Sequence, residues 1–374
     1  MMARTPALQE IEAPPEADRL EGAPHPRMTA KLYGHASAET MLAQGLHAGK
    51  LNHGWLLSGP AGIGKATLAY RFARAALSHP DERDRTGQSL AVSSETSGSR
   101  QVRALSHPGL LVIRRAYNVK DKRFGVTIPV DEVRRLRQFL AMSVDAGAWR
   151  VVIVDSADDL NIAAANALLK SLEEPPPHTV FLVLTSEPGR LLPTIRSRCR
   201  MLALDPLGST DLKAASVHAI ETEGGTLPGP AEWAALERLS GGSVRRLLNL
   251  ASNGGIALNG AIMRHLSELP KVDWGAIHTL AEKLAPAAAE QQFSLFIELL
   301  MGSLTRLVRS AATGEGEATE LAIAVRIIGH SRLASFAEAW ETLSRETAEA
   351  DALNLDRKAL ILDTFARLER VSRT

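Results

Sequence analysis

A glycine-rich loop between an apolar strand and a helical segment constrains the fold more than any other feature of this sequence. Residues Trp55–Ser58 read as a buried strand, Gly59–Thr67 form the loop, and Lys65–Leu77 carry a helical pattern. In this setting glycines let backbone amides turn toward phosphate groups, and the helix start and Lys65 add positive charge. The context predicts a phosphate-binding loop in an α/β domain. A glycine turn that holds no ligand is the alternative interpretation.

Short apolar runs alternate with helical patterns between about Ala30 and Pro206, which is typical of a parallel sheet covered by helices. The predicted strands are Trp55–Ser58, Leu110–Arg114, Arg150–Asp155 and Thr179–Thr185. The predicted helices are Lys65–Leu77, Pro129–Met142 and Ala163–Glu174. Pro80–Arg103 is rich in Ser, Thr, Gly, Asp and Arg without periodicity, so we expect a loop or a disordered insertion there.

The remaining chain divides by composition. Residues 1–29 are acidic and proline-rich, without the order of a signal peptide, and are expected to form a disordered tail. After Pro206 only helical patterns follow, with glycine breaks at 224–225 and 241–242. With 374 residues, we predict an α/β domain at 30–206, a small all-α domain at 207–254 and a second all-α domain at 255–374.

Composition limits the function classes. The chain has 43 Lys and Arg against 42 Asp and Glu, a net charge of +1, so it has no global field that would hold a polyanion. Its single cysteine, Cys199, excludes an intrachain disulfide and a multi-cysteine zinc site. No apolar run approaches the ~20 residues of a membrane span. A cytoplasmic protein without a membrane partner is expected.

Two basic runs could provide local contacts with DNA. One includes Arg114, Arg115, Lys120, Lys122 and Arg123, and the other places arginines at 134, 135 and 137 on a predicted helix. Solvated surfaces are the favoured interpretation, because no regular pattern of aromatic residues supports base stacking.

Two positions that ATP hydrolysis requires carry unsuitable residues. The position after Lys65 should carry a hydroxyl for Mg²⁺, but it is Ala66, and Thr67 lies ~100° further around the helix. Asp155 ends an apolar strand as expected, and the next residue should be a glutamate that activates the attacking water. That residue is Ser156, which cannot act as a base near neutral pH. We predict that this chain does not hydrolyse ATP, and whether it binds ATP or ADP stays open.

Three motifs in order resemble those of the AAA+ clamp-loader subunits of bacterial replication. They are His53–Pro60, the helix and its stop Asn166–Pro176, and Arg196–Cys199. Within this family the chain resembles the delta-prime group more than the motor group. The resemblance implies an AAA+ phosphate-loop core, a helical lid at 207–254 and a helical collar at 255–374. The collar resemblance is clearest at Leu353–Asp356.

The resemblance also implies roles for individual residues. Arg198 would act as an arginine finger on the nucleotide of a neighbouring subunit. Without the resemblance, the favoured interpretation is a surface arginine in a basic turn. Thr185 would be the first nucleotide sensor and Arg245 the second, with a structural strand-end threonine and a solvated arginine as alternatives. The candidate nucleotide-binding residues are Gly59, Gly62, Gly64, Lys65, Thr67, Asp155, Thr185 and Arg245.

The function implied by the resemblance is that of a largely non-hydrolysing subunit of the DNA polymerase III clamp loader. Its partners would be the motor subunits, the delta subunit, the sliding clamp and, through the complex, primed DNA. The alternatives are an ATP-hydrolysing motor subunit and a non-replicative AAA+ scaffold. Many relatives carry a four-cysteine zinc module after the phosphate-loop helix, but residues 78–107 contain no cysteine, so neither zinc nor another metal site is expected.

Overall fold

The computed structural model describes residues 15–120, 123–142, 147–329, 331–353 and 356–373. Its core is a parallel sheet of five strands, β1 (Gly54–Ser58), β2 (Leu110–Ile113), β5 (Arg150–Val154), β6 (Thr179–Thr185) and β7 (Arg200–Ala203). Their order in the sheet is β2-β5-β6-β1-β7. The three central strands are buried along their whole length, because each is mostly apolar and is covered on both faces. The two short strands β3 (Tyr117–Asn118) and β4 (Arg123–Phe124) pair with each other in antiparallel orientation.

Helices cover both faces of the sheet. Neighbouring residues of β1 point to opposite faces, with Trp55 and Leu57 in one apolar cluster and Leu56 in the other. The first cluster includes residues of α1 (Ala36–His47), α2 (Lys65–Leu77) and α3 (Ser97–Arg103). The second includes residues of α4 (Val130–Ala141), α5 (Ile162–Glu173) and α6 (Pro193–Arg198). The sheet is therefore the middle layer of three.

The predicted fold class is confirmed: a parallel α/β core is followed, within the described residues, by helices and no strand. The predicted strand at 179–185 and the predicted helix at 65–77 have the observed bounds, and the other predicted elements differ by one residue at one or both ends. The elements α1, α3, α6, β7 and the β3–β4 pair were not predicted from the sequence.

Residues 15–29, part of the predicted disordered tail, contact the core instead. The Arg74 guanidinium donates hydrogen bonds to the carbonyls of Arg27 (2.9 Å) and Thr29 (2.8 Å), and His25 is 4% exposed. The tail prediction is thus wrong for these residues, because long-range hydrogen bonds compensate for their low apolar content. Residues 1–14 lie outside the described part of the chain.

The segment Pro80–Arg103 is not a structureless loop either. It contains a 3₁₀ turn at Pro80–Glu82 and the helix α3, which begins after Thr96, whose side chain accepts a hydrogen bond from the Ser99 amide. The Asp84 carboxylate accepts hydrogen bonds from the amides of Gln88 and Ser89, both at 2.9 Å. Polar side chains that bond their own backbone thus order the segment without an apolar pattern.

The chain packs as two compact units, one up to Leu227 together with Gly241–Arg246, the other comprising Pro228–Ser240 and the residues from Leu247 onward. This division separates the helices of the predicted 207–254 domain, since α7 (Ser209–Thr222) belongs to the first unit and α8 (Pro230–Ser240) to the second. Helix α9 (Val244–Ser252) begins in the first unit. The division at 206 and 254 stays a prediction.

The second unit contains helices and no strand within its described residues. After α9 these are α10 (Gly255–Glu268), α11 (Trp274–Leu284), α12 (Glu290–Thr313), α13 (Ala318–Ile327), α14 (Leu333–Leu353) and α15 (Arg357–Arg373). The longest, α12, packs against α10, α13 and α14, and α15 packs against α11 and α14. Leu295, Phe296 and Leu299 of α12 are among its buried residues, at the spacing that the amphipathic pattern predicts. Asn354 and Leu355 of the collar motif lie outside the described residues.

Candidate nucleotide site

The phosphate loop lies at the carboxyl end of β1, and the sheet register brings the other strand-end residues beside it. Ser58 pairs with Thr185 at the end of β6, and the Gly59 amide donates a hydrogen bond to the Thr185 carbonyl at 3.3 Å. β5 lies next to β6 and is followed by Asp155. The parallel sheet therefore gathers the loop, Asp155 and Thr185 at one edge, as the strand-end positions predict.

Two glycines of the loop have environments that exclude a side chain. Gly59 has a φ of 150°, and a Cβ there would lie 2.3 Å from the Leu204 carbonyl oxygen. Gly62 has a φ of 77°, and its Cβ would lie 2.4 Å from the Arg245 Cβ. The loop can follow this path only because both residues lack a Cβ.

The Lys65 ammonium group is drawn back onto the loop. Its Nζ donates hydrogen bonds to the carbonyls of Gly59 (2.5 Å) and Pro60 (2.7 Å) and to the Ser186 hydroxyl (3.1 Å). Burial lowers the pKa of Lys65 to about 8, although the charges of Asp155 and Asp158 partly oppose the effect. Lys65 is thus placed to neutralise a phosphate, and its ammonium group already has three oxygen acceptors within the protein.

Asp155 occupies the predicted place after β5. Its amide donates a hydrogen bond to the Ile113 carbonyl at 2.9 Å, which fixes the strand end. Burial raises the pKa of Asp155 to about 7, and the nearby charge of Asp18 acts in the same direction, against the charges of Lys65 and Arg245. This carboxyl group is therefore only partly ionised near neutral pH, which weakens it as a metal ligand.

The geometry around Ala66 and Ser156 supplies neither the missing Mg²⁺ ligand nor the missing base. Ala66 has no ligand atom in its side chain, and the hydroxyl of Ser156 donates a hydrogen bond to Asp158 at 2.9 Å. The hydroxyl at position 67 belongs to a half-buried threonine one position further along α2. The strand end thus carries no carboxylate at the position of the catalytic base.

Thr185 is fully buried, and its hydroxyl donates a hydrogen bond to the Asp158 carboxylate. Asp158 also accepts hydrogen bonds from the amides of Ser186 (2.7 Å) and Glu187 (3.4 Å). Sequence reasoning missed Asp158, because an acid two residues after an expected base position has no motif of its own. The signal in the sequence that could have indicated this contact is the group of polar residues after β5, at 155–159, and at the end of β6, at 185–187.

The start of α9 meets the phosphate loop within the first unit. The Ser243 hydroxyl donates a hydrogen bond to the Ala61 carbonyl (2.8 Å), and the Arg245 amide donates one to the Gly62 carbonyl (3.3 Å). The Arg245 side chain is exposed, and its charge partly opposes the rise that burial causes in the pKa of Asp155. The structure therefore brings the second predicted sensor to the site.

Arg198 lies at the other edge of the sheet. A Cβ on Gly54, the first residue of β1, would lie 3.2 Å from the Arg198 carbonyl oxygen, whereas the phosphate loop follows the last residue of that strand. At ~3.3 Å per residue, β1 separates the two by roughly 13 Å. The Arg198 guanidinium pairs with Glu173 at 2.6 Å and donates a hydrogen bond to the Thr194 carbonyl at 3.1 Å. Arg198 is thus not part of its own chain's nucleotide site.

An ion cluster formed by the 15–29 segment lies near Asp155. Arg114, which follows β2, pairs with Glu16 at 2.6 Å and with Asp18, and His25 lies 3.1 Å from Asp18. Glu16, Asp18 and His25 have the spacing of a metal site, but Arg114 is bonded to both carboxylates and Arg27 is bonded to Glu16. Two guanidinium groups therefore already neutralise these acids, and the arrangement fits an ion network better than a metal.

Several residues of the basic runs also pair with acids of this chain. Arg115 pairs with Asp159 at 3.1 Å, and on α4 Arg134 pairs with Asp131 at 2.6 Å. Lys122 lies outside the described residues.

Among the helices of the described residues, none combines the length and apolar character needed to cross a bilayer.

Comparison with known proteins identifies relatives of this chain. The family model for the DNA polymerase III delta subunit matches residues 34–208. A DNA polymerase III subunit delta' of Pseudomonas aeruginosa is 34% identical over 256 residues, which cover 67% of this chain and 71% of that protein. DNA polymerase III subunit tau of Escherichia coli is 28% identical, and the match covers 73% of this chain but only 40% of tau. A solved gamma-subunit-related protein of Thermotoga maritima aligns with 89% of this chain at 19% identity and a TM-score of 0.37.

Proposed function

The chain belongs to the delta-prime family of DNA polymerase III clamp-loader subunits, and from this premise we propose that it supports clamp loading without hydrolysing ATP itself. Its contribution is to supply Arg198 to the ATP site of a neighbouring motor subunit. The complex it serves would load the sliding clamp onto primed DNA during replication. Its direct partners would be the motor subunits and the delta subunit.

The observation that carries this proposal is the position of Arg198. The residue lies at the amino-terminal edge of the sheet, whereas the chain's own phosphate loop lies at the carboxyl edge. The Arg198 side chain is 35% exposed and pairs with Glu173, whose side chain is 48% exposed. A surface ion pair of this kind is worth only ~0–1 kcal/mol. A phosphate group of a nucleotide bound to the neighbouring subunit can therefore readily replace Glu173 at the Arg198 guanidinium.

The chain's own site fits a nucleotide phosphate but not hydrolysis. The loop amides at the start of α2 and the Lys65 ammonium group suit phosphate oxygens, and a bound ATP or ADP would supply those oxygens. Ala66 offers no oxygen for Mg²⁺, and Ser156 offers no base for the attacking water. We therefore infer that this site binds ATP or ADP and does not hydrolyse ATP.

Arg198→Ala tests the finger in the assembled complex. The variant is combined with the motor and delta subunits, and ATPase activity is measured with the sliding clamp and primed DNA. A finger is worth ~10³-fold or more in the turnover of the site it serves. The neighbouring site should therefore stop contributing, and the DNA-stimulated rate should fall accordingly.

The matched control is Arg196→Ala, an exposed arginine on the same short helix. It should leave turnover within about twofold of the unmodified complex, since surface substitutions of this kind have small effects. Equal turnover in the Arg198→Ala and control complexes, with assembly intact, would remove the finger role.

A further inference from the structure

The Asp158 carboxylate ties together two strand ends at the nucleotide site. It lies in the 3₁₀ turn Ala157–Asp159 after β5, and it accepts hydrogen bonds from four donors. Two are hydroxyl groups, those of Ser156 (2.9 Å) and Thr185, and two are the amides of Ser186 (2.7 Å) and Glu187 (3.4 Å). Asp158 belongs to none of the sequence motifs that mark the nucleotide site.

The contacts continue from Asp158 to the phosphate-loop lysine. Asp158 fixes the backbone of Ser186, and the Ser186 hydroxyl accepts a hydrogen bond from the Lys65 Nζ at 3.1 Å. Lys65 is also bonded to the carbonyls of Gly59 and Pro60. An incoming phosphate must therefore replace three oxygen acceptors that already hold the ammonium group.

The first sensor position is affected as well. A threonine hydroxyl has a single proton to donate, and Thr185 donates it to Asp158. Because Thr185 is fully buried, this hydrogen bond cannot be exchanged for one to water at no cost. While this hydrogen bond to Asp158 holds, Thr185 has no proton available for a phosphate oxygen.

We propose that Asp158 is a positioning residue that keeps this site in a form with low affinity for nucleoside triphosphates. It acts in three ways: it uses the Thr185 proton, it holds Ser186 where it binds Lys65, and its negative charge opposes a phosphate at the loop. The proposal rests on the proposed function, in which the loop binds nucleotide without hydrolysing it. It adds the residue that restrains that binding.

Asp158→Asn tests the proposal, because asparagine keeps the shape and one oxygen acceptor but removes the charge. At an effective dielectric constant of ~20, removing one like charge within ~10 Å of a bound phosphate should tighten binding by about tenfold. The measurement is calorimetric titration of the purified chain with ATP, with and without Mg²⁺. The matched control is Asp159→Asn in the same 3₁₀ turn, where the carboxylate pairs with Arg115 at 3.1 Å instead of holding Thr185 and Ser186, so its gain in affinity should be clearly smaller than that of Asp158→Asn.

The acylation rate of the Lys65 amine, followed by mass spectrometry without nucleotide, gives a second measurement. Acylation requires the uncharged amine. Burial lowers the pKa of Lys65 to about 8, and the negative charges of Asp155 and Asp158 oppose this decrease. Asp158→Asn should therefore speed acylation of Lys65, whereas Asp159→Asn should not. A purely structural role of Asp158 does not predict a selective change at this one amine.

The two measurements separate the possible failures. Unchanged or weaker ATP binding by Asp158→Asn, in a site where the unmodified chain binds ATP, overturns the restraint that we assign to Asp158. If neither chain binds ATP at millimolar concentration, nucleotide binding in the proposed function fails instead. In that case faster acylation of Lys65 in Asp158→Asn still supports the positioning role, and equal acylation overturns it.

Discussion

Asp18→Asn should destabilise the first unit by about 2 kcal/mol, although the residue belongs to a segment that the sequence marks as a tail. The Asp18 side chain is 3% exposed and lies 3.1 Å from the His25 Nε2. It also pairs with Arg114 and accepts a hydrogen bond from the Tyr70 hydroxyl at 3.1 Å. Asparagine keeps the shape of the side chain but removes the charge that these donors stabilise.

The magnitude follows from the pKa of Asp18. Burial raises this pKa, but the interaction with His25 at 3.1 Å and the charge of Arg114 outweigh burial and lower it from 3.8 to about 2. At ~1.4 kcal/mol per pKa unit, the ionised form contributes about 2 kcal/mol to the free energy of unfolding. Because the pKa is lower in the folded chain, this contribution is complete above pH ~4 and is lost as the pH falls toward 2.

The assay is urea unfolding at pH 7, with the transition of the first unit followed by fluorescence of its tryptophans, Trp55 and Trp149. The control is Asp131→Asn, whose exposed carboxylate pairs with Arg134 on the surface of α4, and it should cost at most ~1 kcal/mol. If Asp18→Asn costs no more than this control, residues 15–29 do not stabilise the core in the way the contacts indicate.

Three further predictions concern the site and its surroundings. Gly62→Ala should lower the free energy of unfolding by ~1–3 kcal/mol and the melting temperature with it, because of its positive φ and the contact with Arg245, whereas Gly189→Ala, where a Cβ meets nothing within 4 Å, should not. Asp155→Asn should stabilise the chain more at pH 8 than at pH 5 in urea unfolding: burial raises the pKa of Asp155 to about 7, so the carboxyl group costs stability increasingly between pH ~4 and ~7 and by a constant amount above; an equal effect at both pH values would contradict this. Burial raises the pKa of the Cys199 thiol to about 11, so the native chain should react slowly with a thiol reagent at pH 8 and rapidly in denaturant, and equal rates would show that the thiol is accessible.

Local patterns were sufficient to predict the α/β core. The strand Thr179–Thr185 and the helix Lys65–Leu77 have periodicities and ends that short stretches of sequence specify. The strand ends also placed Asp155 and Thr185 beside the loop, because parallel strands end at a common edge. The position of Arg198 at the opposite edge follows from the same topology once β7 is known, but β7 has only four residues and was missed.

The parts that could not be predicted depend on polar contacts between distant residues. Asp18 meets Arg114 across 96 positions of sequence, and Asp158 meets Thr185 across 27. Such pairs leave no periodicity, and a segment rich in acids and prolines has the composition of a disordered tail whether or not it finds partners. The charge network over residues 15–29 therefore becomes visible only in three dimensions.

Phosphate release by the purified chain alone, in ATP and Mg²⁺, tests most directly the claim that this subunit keeps a phosphate site without the means to hydrolyse. The account predicts a rate no higher than that of the Lys65→Ala chain. Sustained release that disappears in Lys65→Ala would contradict it, because the site would then be a working ATPase despite Ala66 and Ser156, as in the motor-subunit alternative.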